Sequence, residues 1–567
     1  MSPLTPSRRP IYLSQDDPEP QERSRALVEK RATYRYDHDL AGLALASETP
    51  KGEGFGAIYL ASVGVLEAQI KLAEARAASD LGASLLGGLA IPERRPTAID
   101  EYAALLAHLG RPGSMARWRD DWYFAWQRLA GSTPMLLRHA PEPQDRFPIT
   151  AEAYAAATGD RDSLDAARAE GRLFVVDYPA LQGMRASALE GAQKYPSSPV
   201  AMFVLLPGEG GPRERFVPIG IQCTPEPIDD ARIWTPRDGV RWQMARYVVQ
   251  CAETWVHESV LHTGVGHMVA EATLLATHHE LAPNHPLHIF LKPHFEFTLA
   301  TNHVARTSFL NPGGFTERLT PAPLEDSLAL IRRTVDDTRI DQIAPRDDLA
   351  ARGVLSEEVL PFYPYREDAL QVYDAIWSWT NDYLRLYYHG PSDLEHDAEV
   401  HAWRDALASP HQFRLQGVPA LNAVEDLVGL VANLLWCTCA VHACTNYSGW
   451  EFSAWPANMS TAAYGPAPTL SREPDEADLL AMMPPLHVAW EIATVMFKLR
   501  NITDNSLRDD LSEYFAQDSR VGPLYERHLR TLEETRADID RRNANTLLRP
   551  NPYPYLRPDL INRSIHA

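Results

Sequence analysis

The most constraining segment is the run Leu427–Cys444, LVGLVANLLWCTCAVHAC. It is apolar around the full circumference of a helix. A helix of that kind lies in a membrane or at the centre of a large protein. It carries Asn433, Thr438 and His442, polar groups that a lipid environment penalises. No other segment resembles a span, so the run reads as a buried core helix around which the chain must be built.

The rest of the chain is long enough to supply that wrapping. It has 567 residues, 45% hydrophobic and 23% charged, the balance of an ordinary globular protein. Lys and Arg number 54 against 75 Asp and Glu, a net charge of −21. Such a surface disfavours nucleic acid and anionic membranes as main partners. The five cysteines (Cys223, Cys251, Cys437, Cys439, Cys444) are too sparse for a disulfide framework. The N-terminus lacks the apolar stretch of a secretory signal. The expected location is cytoplasmic.

Helical periodicity runs from Gly54 to about Ala130 and again from Gly239 to near Asn545. Between them, 172–181 and 199–225 read as strands, the second with a hairpin turn at Gly208–Pro212. No repeat and no early series of short strands is visible. The expected fold is mainly α, one large helical domain over 41–567 with a small β subregion. Residues 1–40, rich in proline and charge, read as an arm.

Histidine is concentrated in one place. Nine of the 20 histidines lie between His257 and His303. His257, His262 and His267 are spaced by five, which in a regular α-helix puts neighbours about 140° apart. They converge only if the helix widens by one residue per turn, as a π-bulge does. Gly264 and Gly266 ease that departure. In the apolar run, His442 and Asn446 are i and i+4 and share a face. Buried polar groups there need satisfaction, and a metal satisfies both. A zinc site from Cys437, Cys439, His442 and Cys444 competes, but lacks paired knuckle spacing. A zinc hydrolase is a second rival; there the pattern H-E-x-x-H is expected, and the second histidine here comes one residue late. His278, His279, His288 and His303 read as surface or structural.

These residues, taken together, resemble the lipoxygenases from about Asp121 onward. The pattern H-x4-H-x4-H is followed by Glu271, His285-Pro286, Pro293-His294 and Asn302-x-x-Ala305-Arg306. Trp242, Arg246, Gln250 and Ala252 resemble the lead-in, and 121–134, 174–178 and 217–222 resemble smaller motifs. His442-x3-Asn446 and the ending YPYLRPDLINRSIHA complete the likeness. The compact bacterial members, without the N-terminal β-sandwich, are the nearest type.

The resemblance implies a non-haem iron dioxygenase, with manganese as the second choice of metal. It implies metal ligands His262, His267, His442, Asn446 and the terminal carboxylate of Ala567. His257, Glu258 and Glu271 stand behind the ligands. Ala305 controls stereochemistry, its methyl going with S products. Phe309, Leu499, Val495, Leu319 and Thr320 line the substrate pocket. The implied substrates are O2 and a polyunsaturated fatty acid with a cis,cis-1,4-pentadiene, giving an S-hydroperoxide. No nucleic acid or obligate protein partner is implied; a weak membrane-surface contact is the one further association the reading admits. A non-catalytic lipid-binding protein of the same fold is the alternative. The chain departs from the family pattern at Glu258 and Gly449 (usually Gln), Arg563 (usually Asn), Phe309 (usually Leu) and Ala567 (usually Ile).

Overall fold

The computed structural model describes residues 9–82, 90–140, 147–225, 233–500 and 505–565. Its centre is the apolar helix. Val424–Leu435 is α-helical, Trp436–Val441 is a π turn, and His442–Asn446 returns to α. The helical run Val424–Ser453 is long and apolar enough to cross a membrane, yet 94% of its apolar window is buried inside the protein. Asn433, buried within it, is satisfied locally, as burial requires. Asn433 donates to the Ile340 carbonyl at 2.7 Å and accepts from the Tyr373 hydroxyl at 2.5 Å.

The histidine helix packs beside it. Val240–Val256 is α, His257–Met268 is π and Val269–Glu280 is α. The widening expected from the five-residue spacing is therefore present over the whole triple. The glycines also have a steric role that spacing alone does not show. A Cβ on Gly264 would meet the Thr334 methyl at 2.6 Å, so helix Leu324–Asp337 packs directly on backbone there. A Cβ on Gly266 would lie 3.6 Å from the His442 side chain, which records how closely the two core helices approach.

The β subregion is a four-stranded antiparallel sheet in sequential order: Arg138–His139, Leu173–Asp177, Val200–Leu205 and Phe216–Gln222. The hairpin expected over 199–225 forms, with a register shift between Met202 and Phe203. Its connection holds a short helix, Pro212–Arg215. Strand alternation sends Phe203 to helix Asp121–Ala130, where its ring lies 5.7 Å from that of Phe124. Met202 and Val204 face the other way, into a smaller apolar cluster with Tyr154 and Leu164.

The N-terminal stretch is docked on this body. Helix Pro20–Thr33 places Arg23 against Asp17 at 3.0 Å and Glu399 at 2.5 Å. The Tyr34 ring stacks on His278 at 3.7 Å. A long helix, Ala57–Asp80, follows and covers the functional cavity. Among the described residues before 112 there is no β-sandwich, only helices and one two-stranded ribbon, Tyr36–Asp37 with Leu45–Ala46.

Candidate metal centre

His262, His267 and His442 are all buried, and each offers a ring nitrogen within 4.8 Å of the others. Among the described residues this is the one such group of three. The π turn does the work for the first two: their Nε2 atoms stand 3.1 Å apart, although they are five residues apart in sequence. The His442 ring centre lies 5.2 Å from that of His262 and 5.0 Å from that of His267.

The partners of the opposite nitrogens assign the tautomers. His267 Nδ1–H donates to Asn302 Oδ1 at 2.6 Å. His262 Nδ1–H donates to the Glu258 carboxylate at 3.2 Å. Both Nε2 atoms therefore present lone pairs to each other. Two acceptors at that distance repel unless a cation lies between them. Burial holds the His267 imidazole down to about 3, so a proton is a poor occupant. On Asn446, Nδ2 donates to the Leu499 carbonyl at 3.1 Å, while Oδ1 is buried with no hydrogen-bond partner among the described residues. An orphaned amide oxygen on the face of His442 and three converging imidazoles fit a divalent transition metal. The cysteine alternative is not supported: all five cysteines are buried free thiols, and none joins the cluster.

Behind His267 runs a second chain of bonds. Asn302 Nδ2 donates to Glu271 at 2.7 Å, and the Ala46 amide donates to the other Glu271 oxygen at 2.6 Å. Burial pushes the Glu271 carboxyl up to about 7. Asn302, read in sequence only as part of a motif, is thus the residue that orients His267. Behind His262, Glu258 also lies 3.1 Å from His257 Nδ1, and His257 Nε2 reaches the Thr445 carbonyl at 2.6 Å. Burial opposes charge on His257, but the Glu258 carboxylate outweighs it, and the pKa is raised. Burial likewise opposes the Glu258 carboxylate, and the two histidines hold it well below the usual range.

His262, His267 and Glu258 open onto a cavity of about 1300 Å³. Ala305, Phe309, Leu319, Thr320, Val495 and Leu499, all expected at a substrate pocket, line it. Ala305–Phe309 is a further π turn. The helix Ala57–Asp80 supplies a wall that motif reading missed, with Phe55 just before it: the Phe55 and Tyr59 rings lie 4.6 Å apart and pack on Phe297 at 5.7 and 5.4 Å. Phe297 adopts φ +63°, a left-handed conformation that costs a bulky residue about 1–3 kcal/mol. The wall's signal in sequence was only an aromatic pair four residues apart, Phe55 and Tyr59, at the start of an alanine-rich helix.

The tail is threaded into the core beside this cavity. Arg563 N–H donates to the Asn505 carbonyl at 3.0 Å, and Ser564 Oγ to the Glu296 carbonyl at 2.8 Å. His294 Nδ1–H meets the Arg563 carbonyl at 2.8 Å. Arg563 itself pairs with Glu296 at 2.7 Å and Asp509 at 2.5 Å. Ala567, the remaining expected ligand, lies outside the described residues.

A lipoxygenase family profile matches residues 112–554, well over half of the chain. This chain belongs to the lipoxygenase family. A linoleate 9/13-lipoxygenase of Pseudomonas aeruginosa is 33% identical over 488 residues, covering 82% of this chain and 69% of that enzyme. A polyunsaturated fatty acid lipoxygenase of Rattus norvegicus is 28% identical, covering 79% of this chain and 66% of its own length. Among solved structures, a calcium-dependent 11R-lipoxygenase superposes with TM-score 0.85 at 22% identity, over 98% of this chain and 82% of that one. The chain is thus an enzyme of the lipoxygenase class, with the helical catalytic fold of that class.

Two departures of this lipoxygenase have local causes. Gly449, where glutamine is usual, makes room for its neighbour: a Cβ there would lie 2.5 Å from the Met496 sulfur, so a larger residue needs Met496 to move. Arg563, where asparagine is usual, answers two acidic groups and ties the tail to both.

Proposed function

We propose that this lipoxygenase uses non-haem iron to insert both atoms of O2 into a polyunsaturated fatty acid with a cis,cis-1,4-pentadiene, releasing an S-hydroperoxide. The observation that carries this reading is that two imidazoles of the cluster, His262 and His267, line the same large, mostly apolar cavity as Ala305. His262, His267, His442 and Asn446 would hold the iron, with the Ala567 carboxylate as the fifth protein ligand. Iron supplies the one-electron couple that such a hydrogen abstraction needs.

The chain's own residues do the rest. Glu258 and Asn302 fix the tautomers that aim both Nε2 lone pairs inward. Phe309, Val495 and Leu499 hold a hydrocarbon chain against the centre and exclude water. The Ala305 methyl shields one end of the pentadiene, so O2 meets the other end.

The test is incubation of purified protein with linoleic and arachidonic acids, with and without O2, followed by chiral chromatography and metal analysis. The reading expects conjugated-diene absorbance only with O2, mainly S product, and iron bound to the protein. Zinc with no diene product would sink it.

A further inference from the structure

We propose that Lys194 is a positioning residue that fixes the inner limit of the substrate cavity, and through it the carbon that is oxygenated. This rests on the fatty-acid reading above and adds the control of its positional specificity.

Lys194 is a buried charge that neither the metal centre nor the cavity wall uses. It is 0% exposed, yet no carboxylate pairs with it among the described residues. Its Nζ donates instead to the main-chain carbonyls of Glu317 at 2.9 Å and Arg318 at 3.1 Å. The Glu317 carboxylate is engaged by the Gly313 amide at 2.7 Å. Burial pushes the Lys194 ammonium down to about 8, so keeping it there costs stability.

What the ammonium holds explains its place. Both carbonyls lie in the last turn of helix Phe315–Leu319, where unpaired carbonyls and the negative end of the helix dipole attract a cation. A helix of five residues has little stability of its own, so its place is set by what caps it. Phe315, Leu319 and the following Thr320 line the cavity, while Lys194 stands behind them and does not. Lys194 follows a two-stranded ribbon, Ala188–Leu189 with Ala192–Gln193. The other base of that ribbon grips the same turn: the Ser187 amide donates to the Pro321 carbonyl at 2.9 Å, and the Lys194 amide donates to the Ser187 carbonyl at 2.8 Å. The Arg318 side chain reaches Glu491 at 3.1 and 3.0 Å. Glu491 belongs to helix Leu486–Leu499, whose Ile492 and Val495 also line the cavity.

Exposure shows which end of the cavity is clamped. Leu319, Thr320 and Ile492 are buried, whereas Ile58, Leu60 and Val65, which line the same cavity, are more than half exposed. The clamped turn is at the inner end. A hydrocarbon chain stops where this wall stops, whichever of its ends leads. The place of the wall then decides which carbon stands at the metal centre.

Three variants test this. Lys194→Met replaces the ammonium by an apolar side chain of similar length, a change that a buried site tolerates. Lys194→Gln keeps two N–H donors on a shorter arm. Arg172→Met breaks the pair with Asp162 at 2.6 Å, outside the cavity lining, and controls for general loosening of the fold. Binding of saturated fatty acids of increasing length is measured by calorimetry, which needs no turnover. Affinity is expected to rise about fourfold per buried CH2 and to level off when the cavity is full. Lys194→Met moves that limit to longer chains, Lys194→Gln moves it less, and Arg172→Met leaves it in place. With linoleate, Lys194→Met is expected to change the ratio of positional isomers by about tenfold, and Lys194→Gln by less. A length limit or an isomer ratio that Lys194→Met leaves unchanged, or that Arg172→Met moves as far, overturns the proposal. If linoleate is not oxygenated even by the wild type while the length limit still moves, the reaction reading falls and Lys194 keeps its hold on the cavity. Oxygenation with an unmoved limit removes only the role of Lys194.

Discussion

His262 and His267 face each other through Nε2 atoms 3.1 Å apart, each with its Nδ1 proton already given away, to Glu258 and to Asn302. The pair is pre-set for a cation by its second hydrogen bonds. Replacing His262 or His442 by alanine is expected to lower metal affinity by more than the about 10–100-fold typical of losing an outer partner. Metal competition titration reads this. A chelator should lower the unfolding temperature of the wild type and leave His262→Ala unmoved, because only the wild type gains stability from ligation. Equal metal retention by both proteins would remove the cluster from consideration.

Glu258 brings a full negative charge to where the family usually has a neutral amide. Glu258→Gln preserves shape and removes that charge. The His262 imidazole becomes a poorer donor, and metal affinity is expected to fall about tenfold. The His257 pKa, raised by this carboxylate against the effect of burial, should drop, which a pH titration followed by NMR of the metal-free protein detects. An unchanged His257 titration would show that the carboxylate does not govern this network.

Ala305 lines the cavity on a π turn four residues before Phe309. On the proposed reading, Ala305→Gly removes the methyl that shields one end of the pentadiene. The ratio of S to R product is expected to fall by about tenfold, equivalent to about 1.4 kcal/mol between two competing transition states. Chiral chromatography measures it, and an unaltered ratio would assign Ala305 to simple helix packing.

Much of this was legible in the residues because it follows from periodicity. Five-residue spacing of histidines has one helical solution, and the π turn over His257–Met268 is that solution. The apolar run could only be a core helix once its polar residues had to find partners, and Asn433 finds Tyr373 and Ile340. What spacing does not carry is contact between distant elements. Nothing local to Gly264 announces Thr334, and nothing local to Glu271 announces the amide of Ala46, 225 residues earlier. The helix Ala57–Asp80 was readable as a helix, but not as a cavity wall, because its exposed Ile58, Leu60 and Val65 break the usual rule that the apolar face points inward.

Gly449 and Met496 share a space in which a side chain on Gly449 fits only if Met496 moves. Gly449→Gln must drive the Met496 sulfur aside, toward the cavity it lines. Overpacking of this sort costs about 1–3 kcal/mol. The variant should also make a different distribution of positional isomers, since the cavity changes shape. Met496→Ala alone leaves a void, costing about 2–5 kcal/mol. The double variant is expected to be more stable than the sum of the two, with a coupling of about 0.5–3 kcal/mol in a denaturation cycle. Strict additivity would mean that the two residues do not share this space.

Glu271 links the metal centre to pH. Its carboxyl is raised by burial from 4.5 to about 7. The folded chain therefore holds a proton, between those two values, that the unfolded chain has released. Since the unfolded state binds fewer protons there, stability falls as pH rises through that window and levels off above it. Both carboxylate oxygens accept N–H bonds, from Ala46 and from Asn302, which is why the shift stops near neutrality instead of going higher. Glu271→Gln cannot accept from both, because one arm is itself a donor. The Asn302 amide must then turn, and its oxygen leaves His267. The variant should lose this component of the pH dependence between pH 5 and 7, seen in denaturation midpoints, and should also bind metal more weakly at every pH. A variant with the wild-type pH profile would place the neutral-range titration on another group.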